Sequence, residues 1–178
     1  MNYCSACGSD QLKEEIPLGD NRKRFCCKAC GTIHYSNPKL VTGCLLTYED
    51  KILLCERAIE PRKGFWTFPS GFMENGETAE EGAAREAYEE AYAEAKIDRL
   101  HLLYSLPHIN QVYLIFAGEL LNPDTVKAGE ESLDVQLFSR DEIPYDRIAF
   151  TAVTKALELF FEDKQIGRTI THRSSYKK

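Results

Sequence analysis

The chain has 178 residues, 43% hydrophobic and 28% charged, with a formal net charge of −6. That length fits one ordinary domain plus a small appendage and is enough to bury a real core. The net acidity argues against nonspecific nucleic-acid binding, no apolar run approaches the roughly 20 residues of a membrane helix, and the start, MNYCSACGSD, lacks the apolar stretch of a signal peptide. The expected compartment is the cytoplasm.

In that compartment the seven cysteines are expected as thiols or metal ligands rather than disulfides. Cys4-x-x-Cys7-Gly8 and Cys27-x-x-Cys30-Gly31 stand nineteen residues apart, which is zinc-ribbon spacing. Each pair forms a knuckle that turns two thiolates toward one ion, and the following glycine relaxes the turn. Cys4, Cys7, Cys27 and Cys30 would then close a tetrahedral site for structural Zn²⁺ with no open position for catalysis. A segment this short has too little core to fold alone, and metal supplies the missing free energy. Incidental free thiols are the competing reading. Cys26 stays outside the site, because only Cys27 keeps the two-residue gap to Cys30. Arg22, Lys23 and Arg24 read as solvated charges, and His34 as a linker residue packing on the ribbon. Pro38 breaks regular structure and biases Asn37 to an extended backbone, which sets the boundary of a 1–36 ribbon against a 37–163 domain.

LVTGCLLTY and KILLCER read as two strands of a hairpin turned at Glu49-Asp50, with Cys44 and Cys55 as core thiols. Trp66 and Phe68 alternate as in a short strand leading to Gly71. The stretch Gly71–Ala93 follows: GFMENGETAEEGAAREAYEEAYA. Thr78 caps a helix with Glu81 at capping-box spacing. Ala79, Ala83, Ala87 and Ala91 recur every four residues and give a small face that lets the helix approach a sheet closely. Glu86, Glu89 and Glu90, spaced i, i+3 and i+4, converge on another face. From Glu74 to Glu94 there are eight glutamates and one arginine, a charge of −7 in a chain of −6, so the remainder sums to +1. The bland reading is a solvated acidic helix. Converging carboxylates beside a glycine turn also suit a hard divalent cation.

The segment resembles the Nudix box: G, five residues, E, seven residues, R-E, an apolar residue, any residue, E-E, any residue, G, apolar. Gly71, Glu77, Arg85, Glu86, Ala87, Glu89, Glu90 and Ala93 match it. Tyr92 stands where the pattern ends in glycine, and the helix is expected to run on toward Lys96.

Residues 97–106 and 111–121 read as further strands, 122–133 as a polar loop, DVQLF as a last strand, and 149–163 as a second amphipathic helix. The two helices on either side of a mixed sheet give an α/β class, an α/β/α sandwich, which is the arrangement of the Nudix fold. Residues 164–178 hold Lys164, Arg168, Arg173, Lys177 and Lys178 and no acid, and are expected to form a flexible basic tail.

The resemblance implies hydrolysis of a nucleoside diphosphate linked to another group, with Mg²⁺ or Mn²⁺. It assigns Glu86 and Glu90 as primary metal ligands, Glu89 as a further ligand or positioner of metal-bound water, and the Ser70 backbone oxygen as part of the metal shell. Arg85 and Glu77 would hold the loop against the helix. The general base is sought in another loop, where Glu130 and Glu131 are available. Arg57, Arg62 and Lys63 are candidates for the substrate phosphates. The zinc ribbon resembles two branches, NADH pyrophosphatases and one linked to ADP-ribose or FAD. The first carries S-Q-P-W-P-F-P-x-S after the box helix, and Ser105-Leu106-Pro107-His108-Ile109-Asn110-Gln111 echoes only a serine and a proline. ADP-ribose and FAD therefore rank above NADH. The base or flavin is expected to stack on one of Phe65, Trp66, Tyr104 or Tyr113. A homodimer is expected from the resemblance, and no nucleic-acid or membrane partner. A nucleotide sensor that does not cleave its ligand is the alternative outside catalysis; the complete glutamate set argues against it.

Overall fold

The computed structural model describes residues 1–176, so Lys177 and Lys178 of the basic tail lie outside the described residues. Two compact units are present, one spanning Met1–Asn37 and the other beginning at Pro38.

In the first unit, β1 (Leu12–Glu15), β2 (Arg24–Cys27) and β3 (Ile33–His34) form a small antiparallel sheet. Few of its side chains are buried, and three of the buried ones are Cys4, Cys26 and Cys27. An apolar core this small does not supply the free energy to order a chain of this length. The unit therefore depends on its cysteine cluster.

The second unit is built on one mixed sheet. Its strands are β4 (Lys39–Tyr48), β5 (Lys51–Arg57), β6 (Trp66–Thr67), β7 (Ser70–Phe72), β8 (Ala95–Leu106), β9 (Gln111–Leu120), β10 (Ser132–Phe138) and β11 (His172–Ser175). The order is β10-β5-β4-β9-β8-β11, with β6 on β5 and β7 on β4. The β4–β9 and β8–β11 pairs are parallel and the others antiparallel. Alternation along β4 and β5 sends Leu45, Ile52 and Leu54 to one face and Cys44, Leu46, Leu53 and Cys55 to the other.

Each face is covered by one helix. Helix α1 (Ala79–Ala91) lays Ala83, Ala87 and Ala91, all fully buried, on the Cys44–Leu46 face. Helix α2 (Thr151–Ile166) packs Ala152, Val153, Ala156 and Leu157 on the Leu45 face with Trp66 and Phe68. This is the α/β/α sandwich. The alanine face sets how close α1 comes to the sheet, and Ala87→Leu would overpack it at a cost of roughly 1–3 kcal/mol.

The hairpin from β4 to β5 is paired only at its tip, Thr47 with Ile52 and Tyr48 with Lys51. Lower down, β7 takes that edge of β4, with Thr42 opposite Gly71 and Gly43 opposite Ser70. This inserts the start of the glutamate stretch beside the sheet and under α1.

Two expectations are corrected. The first helix stops at Ala91, and Tyr92 itself adopts the left-handed conformation (φ 49°) in place of a glycine. Its N–H donates to the Tyr88 carbonyl at 2.8 Å, and the next amide, that of Ala93, donates to the Ala87 carbonyl at 3.1 Å. Asn122 then clamps the exit, donating to the Tyr92 carbonyl at 3.0 Å and accepting the Glu94 N–H at 2.7 Å. The Tyr92 ring packs edge-on against Tyr88 with Lys127 over its face. These contacts offset the strain of a non-glycine residue there.

The second correction concerns the tail. Helix α2 continues to Ile166, and His172–Ser175 form the edge strand β11, parallel to β8. The segment is ordered by Asp163, which is buried (2% exposed) and accepts from Arg168 at 2.8 Å and pairs with His172 at 2.7 Å.

Candidate active site

The site starts at the first turn of α1. Thr78 Oγ1 accepts the Glu81 N–H, and the Glu81 carboxylate accepts the Thr78 N–H, so two orphan donors are satisfied reciprocally. Thr42 on β4 donates to the Ala79 carbonyl at 2.6 Å and Cys44 donates to that of Ala83 at 3.4 Å. The helix is thereby tied to the strand at a fixed rotation, and its Glu86 and Glu90 positions turn inward toward β7.

Arg85 organises the surroundings. It makes two bonds of 3.0 Å to Glu77, one of 2.8 Å to Glu86, one of 2.9 Å to Glu89 and one of 3.2 Å to the Phe72 carbonyl. Glu77 also accepts the Glu74 N–H at 2.7 Å. The Arg85 guanidinium, then that amide, hold the Glu77 carboxyl down at about 2. This fork-to-fork pair ties the loop after β7 to the helix, a geometry only arginine provides.

The three glutamates separate in environment. Glu86 and Glu90 are buried, at 8% and 6% exposure, whereas Glu89 is exposed and reaches Arg85. Burial raises Glu86, and Arg85 partly offsets it. Burial and then the neighbouring Glu86 push Glu90 up to about 8, against the opposing pull of the Ser70 amide and the Arg57 charge. Two buried carboxyls that resist ionisation side by side form an oxygen donor set with too little positive charge. A hard divalent cation fits that deficit, since it takes carboxylate oxygens and would displace the protons. Gly71 leaves room for the cluster: a Cβ there would stand 2.4 Å from both Glu86 oxygens.

The carboxylates open on a cleft of about 1110 Å³. Ser70, Glu130 and Glu131 line it with them, as do Arg57 and Arg62. The loop that carries Glu130 and Glu131 is pinned to the helix end: Gly129 donates to the Glu90 carbonyl at 2.9 Å and Lys127 to that of Ala91 at 3.1 Å. The charge of Glu131 bears on both Glu86 and Glu90. Arg57 donates to the Pro61 carbonyl at 2.9 Å and lies over the Phe150 ring. Lys63 is exposed and is not among the cleft residues.

Of the candidate stacking rings, Trp66 and Tyr104 belong to the core and Phe65 lies beneath Arg62, while Tyr113 faces the cleft. Sequence reasoning missed Phe150, His108 and Tyr176, which also line it. Phe150 precedes α2 and provides no side-chain cap, so the first N–H groups of the helix are left at the cleft wall, where they favour an anion.

The N-terminal unit carries a separate candidate metal centre. One sulfur from each of Cys4, Cys7, Cys27 and Cys30 lies within 4.8 Å of the others. The Cys4–Cys30 and Cys7–Cys27 contacts are both 3.7 Å. A tetrahedron with Zn–S bonds of 2.3 Å has an edge of about 3.8 Å, so the cluster fits zinc without rearrangement. The glycine after each pair has a left-handed backbone, φ 74° at Gly8 and 76° at Gly31. Cys26 stays outside, with its thiol on the Arg24 carbonyl at 3.8 Å, and His34 Nε2 lies 3.3 Å from the Cys4 sulfur.

The family model of the NUDIX domain matches residues 37–157, and that of the Nudix N-terminal zinc ribbon matches residues 2–36. The chain belongs to the Nudix hydrolase family, in a branch with an N-terminal zinc ribbon. A crystal structure of a Nudix hydrolase from Nitrosomonas europaea is 47% identical, covers 100% of both chains and superposes with a TM-score of 0.96. An ADP-ribose pyrophosphatase of Methanocaldococcus jannaschii is 30% identical over 122 residues, 65% of this chain and 69% of that one. A protein of Stutzerimonas stutzeri named NAD-capped RNA hydrolase is 28% identical over 170 residues, 93% of this Nudix chain but 58% of its own length.

Proposed function

We propose that this Nudix protein hydrolyses the pyrophosphate bond of a nucleoside diphosphate derivative, ADP-ribose or FAD, to two monophosphates. The observation that carries the reading is the buried Glu86–Glu90 pair, with Glu90 held at about 8, at the wall of a nucleotide-sized cleft. Glu86 and Glu90, with Glu89 and the Ser70 backbone oxygen, would hold Mg²⁺ or Mn²⁺. The bound ions would neutralise charge on the phosphoryl oxygens and lower the pKa of a water.

The remaining roles fall to the chain itself. Arg85 fixes the Glu86 carboxylate and the loop after β7. Glu131, the loop carboxylate whose charge bears on the pair, takes the proton of the attacking water as its oxygen adds to phosphorus and the bridging P–O bond breaks. Glu130 is the alternative base. Arg57 and Arg62 attract the diphosphate, aided by the N-terminus of α2. Cys4, Cys7, Cys27 and Cys30 hold a structural zinc ion. A homodimer and a cytoplasmic setting complete the proposal; among the described residues no helix is long and apolar enough to cross a membrane.

Relatives named NAD-capped RNA hydrolase favour a second reading, in which the substrate is NADH or an NAD cap on RNA. Turnover of ADP-ribose, FAD, NADH, NAD-capped RNA and nucleoside triphosphates with Mg²⁺ or Mn²⁺ separates the two. Selective hydrolysis of ADP-ribose or FAD supports the first, and preference for NADH or capped RNA supports the second. Ligand binding with no hydrolysis of any of them would leave a nucleotide sensor.

A further inference from the structure

Strand β11 ends against the cleft. It runs beside β8 from His172–Leu102 to Ser175–Ser105, and the next amide, that of Tyr176, donates to the Ser105 carbonyl at 3.0 Å. Register thus fixes Tyr176 as firmly as a strand residue. Its ring meets that of His108, in the turn between β8 and β9, with centroids 4.9 Å apart and planes tilted by 43°. Both rings line the same cleft as Glu86 and Glu90. The carboxylates sit against β7, next to β4; β9 and β8 separate β4 from β11. Three strand spacings place β11, whose end carries Tyr176, about 14 Å across the sheet from β4. That separation is of the order of a nucleoside diphosphate's length.

We propose that Tyr176 and His108 form the stacking wall for the substrate's aromatic base, and that the C-terminal segment is therefore a specificity element of the active site. The inference rests on the hydrolase reading for the orientation of the substrate, with its phosphates at the glutamates. A ring that is 37% exposed, anchored by its own backbone and lining the cleft, offers a π-face without a rearrangement. Phosphate-end chemistry would not depend on it.

The test uses the full-length, metal-loaded protein with Tyr176→Ala and Tyr176→Phe. Loss of the stacking face is expected to raise KM for ADP-ribose about tenfold with little change in kcat, within the range of base–aromatic stacking. Tyr176→Phe keeps the face and is expected to restore KM. AMP affinity by calorimetry should fall in parallel in Tyr176→Ala, while ribose 5-phosphate, which has no base, binds both proteins alike. An unchanged KM and AMP affinity in Tyr176→Ala would overturn the proposal, as would an equal loss in Tyr176→Phe or an equal loss of ribose 5-phosphate binding. If the wild-type protein does not hydrolyse ADP-ribose, the hydrolase reading fails on its own, and the two binding measurements still decide whether Tyr176 carries a base.

Discussion

The Glu86 carboxylate lies over the backbone of Gly71, so close that a Cβ at position 71 would stand 2.4 Å from both of its oxygens. The first residue of the glycine turn and the first inward carboxylate of α1 are fifteen positions apart in sequence and in contact in the fold. The Gly71→Ala change therefore acts on the site through sterics. The obstructed atoms are the far end of a flexible side chain, so Glu86 swings away at small cost to the fold. We expect a melting temperature within a few degrees of wild type and a loss of turnover of about 100-fold, since misplacement by an ångström is felt strongly in a preorganised site. Wild-type turnover in Gly71→Ala, measured at limiting Mg²⁺, would mean that Glu86 does not bind the metal in its present position.

Glu90 links the site to pH. Its folded-state value of about 8 lies above the ordinary carboxylate value of about 4.3, so in metal-free protein the carboxyl holds its proton better folded than unfolded. Stability from this group is complete in acid and is lost as the pH rises from about 4 through about 8. Glu90→Gln, which is neutral throughout, should flatten that decline and make the metal-free protein more stable than wild type at pH 8. The same substitution should lower turnover at least about 100-fold. Adding Mg²⁺ should stabilise wild type at pH 8 much more than the variant. Thermal denaturation from pH 5 to 8 with and without metal reads both effects; parallel curves for the two proteins would sink the account.

The two loop glutamates can be told apart. Both line the cleft, and the Glu131 charge is among those that bear most on Glu86 and Glu90. Glu131→Gln should reduce kcat by roughly 10²-fold or more, the scale of a general base, with little change in KM. Glu130→Gln should cost less than about tenfold. The reverse order, in single-turnover kinetics, would move the base to Glu130.

For the N-terminal unit the expected result is loss of metal. Cys27→Ser removes one of four sulfurs that already sit at tetrahedral spacing. Zinc content should fall from about one equivalent toward zero, and residues 1–36 should become protease-sensitive, because their free energy of folding is largely that of metal binding. One equivalent of zinc retained in Cys27→Ser would rule out the four-cysteine site.

How much of this was legible in the sequence depends on the range of the interaction that decides it. The cysteine pairs, the capping box at Thr78 and Glu81, and the alanine face of α1 are local patterns, and each appears in the structure with the geometry its spacing implies. The end of α1 was misread because Tyr92 takes a glycine's conformation only with help from Asn122, thirty residues away. The separation of Glu89 from Glu86 and Glu90 was not visible in helical spacing, since it depends on the position of β7 beside β4. Lys63, adjacent to Arg62, misses the cleft for a similar reason: neighbours in a loop need not share a direction. Nothing in the composition of the tail pointed to a strand. Its basic residues read as solvated until Asp163, buried at the end of α2, is seen to receive two of its side chains.

That buried carboxylate gives the last prediction. Burial pushes the Asp163 carboxyl up, but His172 and Arg168 outweigh it and hold it below the usual range. A depressed folded-state value contributes stability that is present above the unfolded value near 3.9 and lost as the pH falls through the folded one. Asp163→Asn should therefore destabilise the protein at pH 7 by roughly 1–3 kcal/mol, the scale of a broken charged hydrogen bond. The difference from wild type should narrow below pH 4. Because Arg168 and His172 anchor the segment that leads to β11, hydrogen exchange should rise first at residues 168–176 and leave α1 unaffected. The KM for ADP-ribose should rise as it does in Tyr176→Ala, with kcat little changed. Uniform destabilisation, with exchange increasing equally in α1 and in the C-terminal strand, would show that Asp163 supports the whole sandwich rather than the strand that closes one end of the cleft.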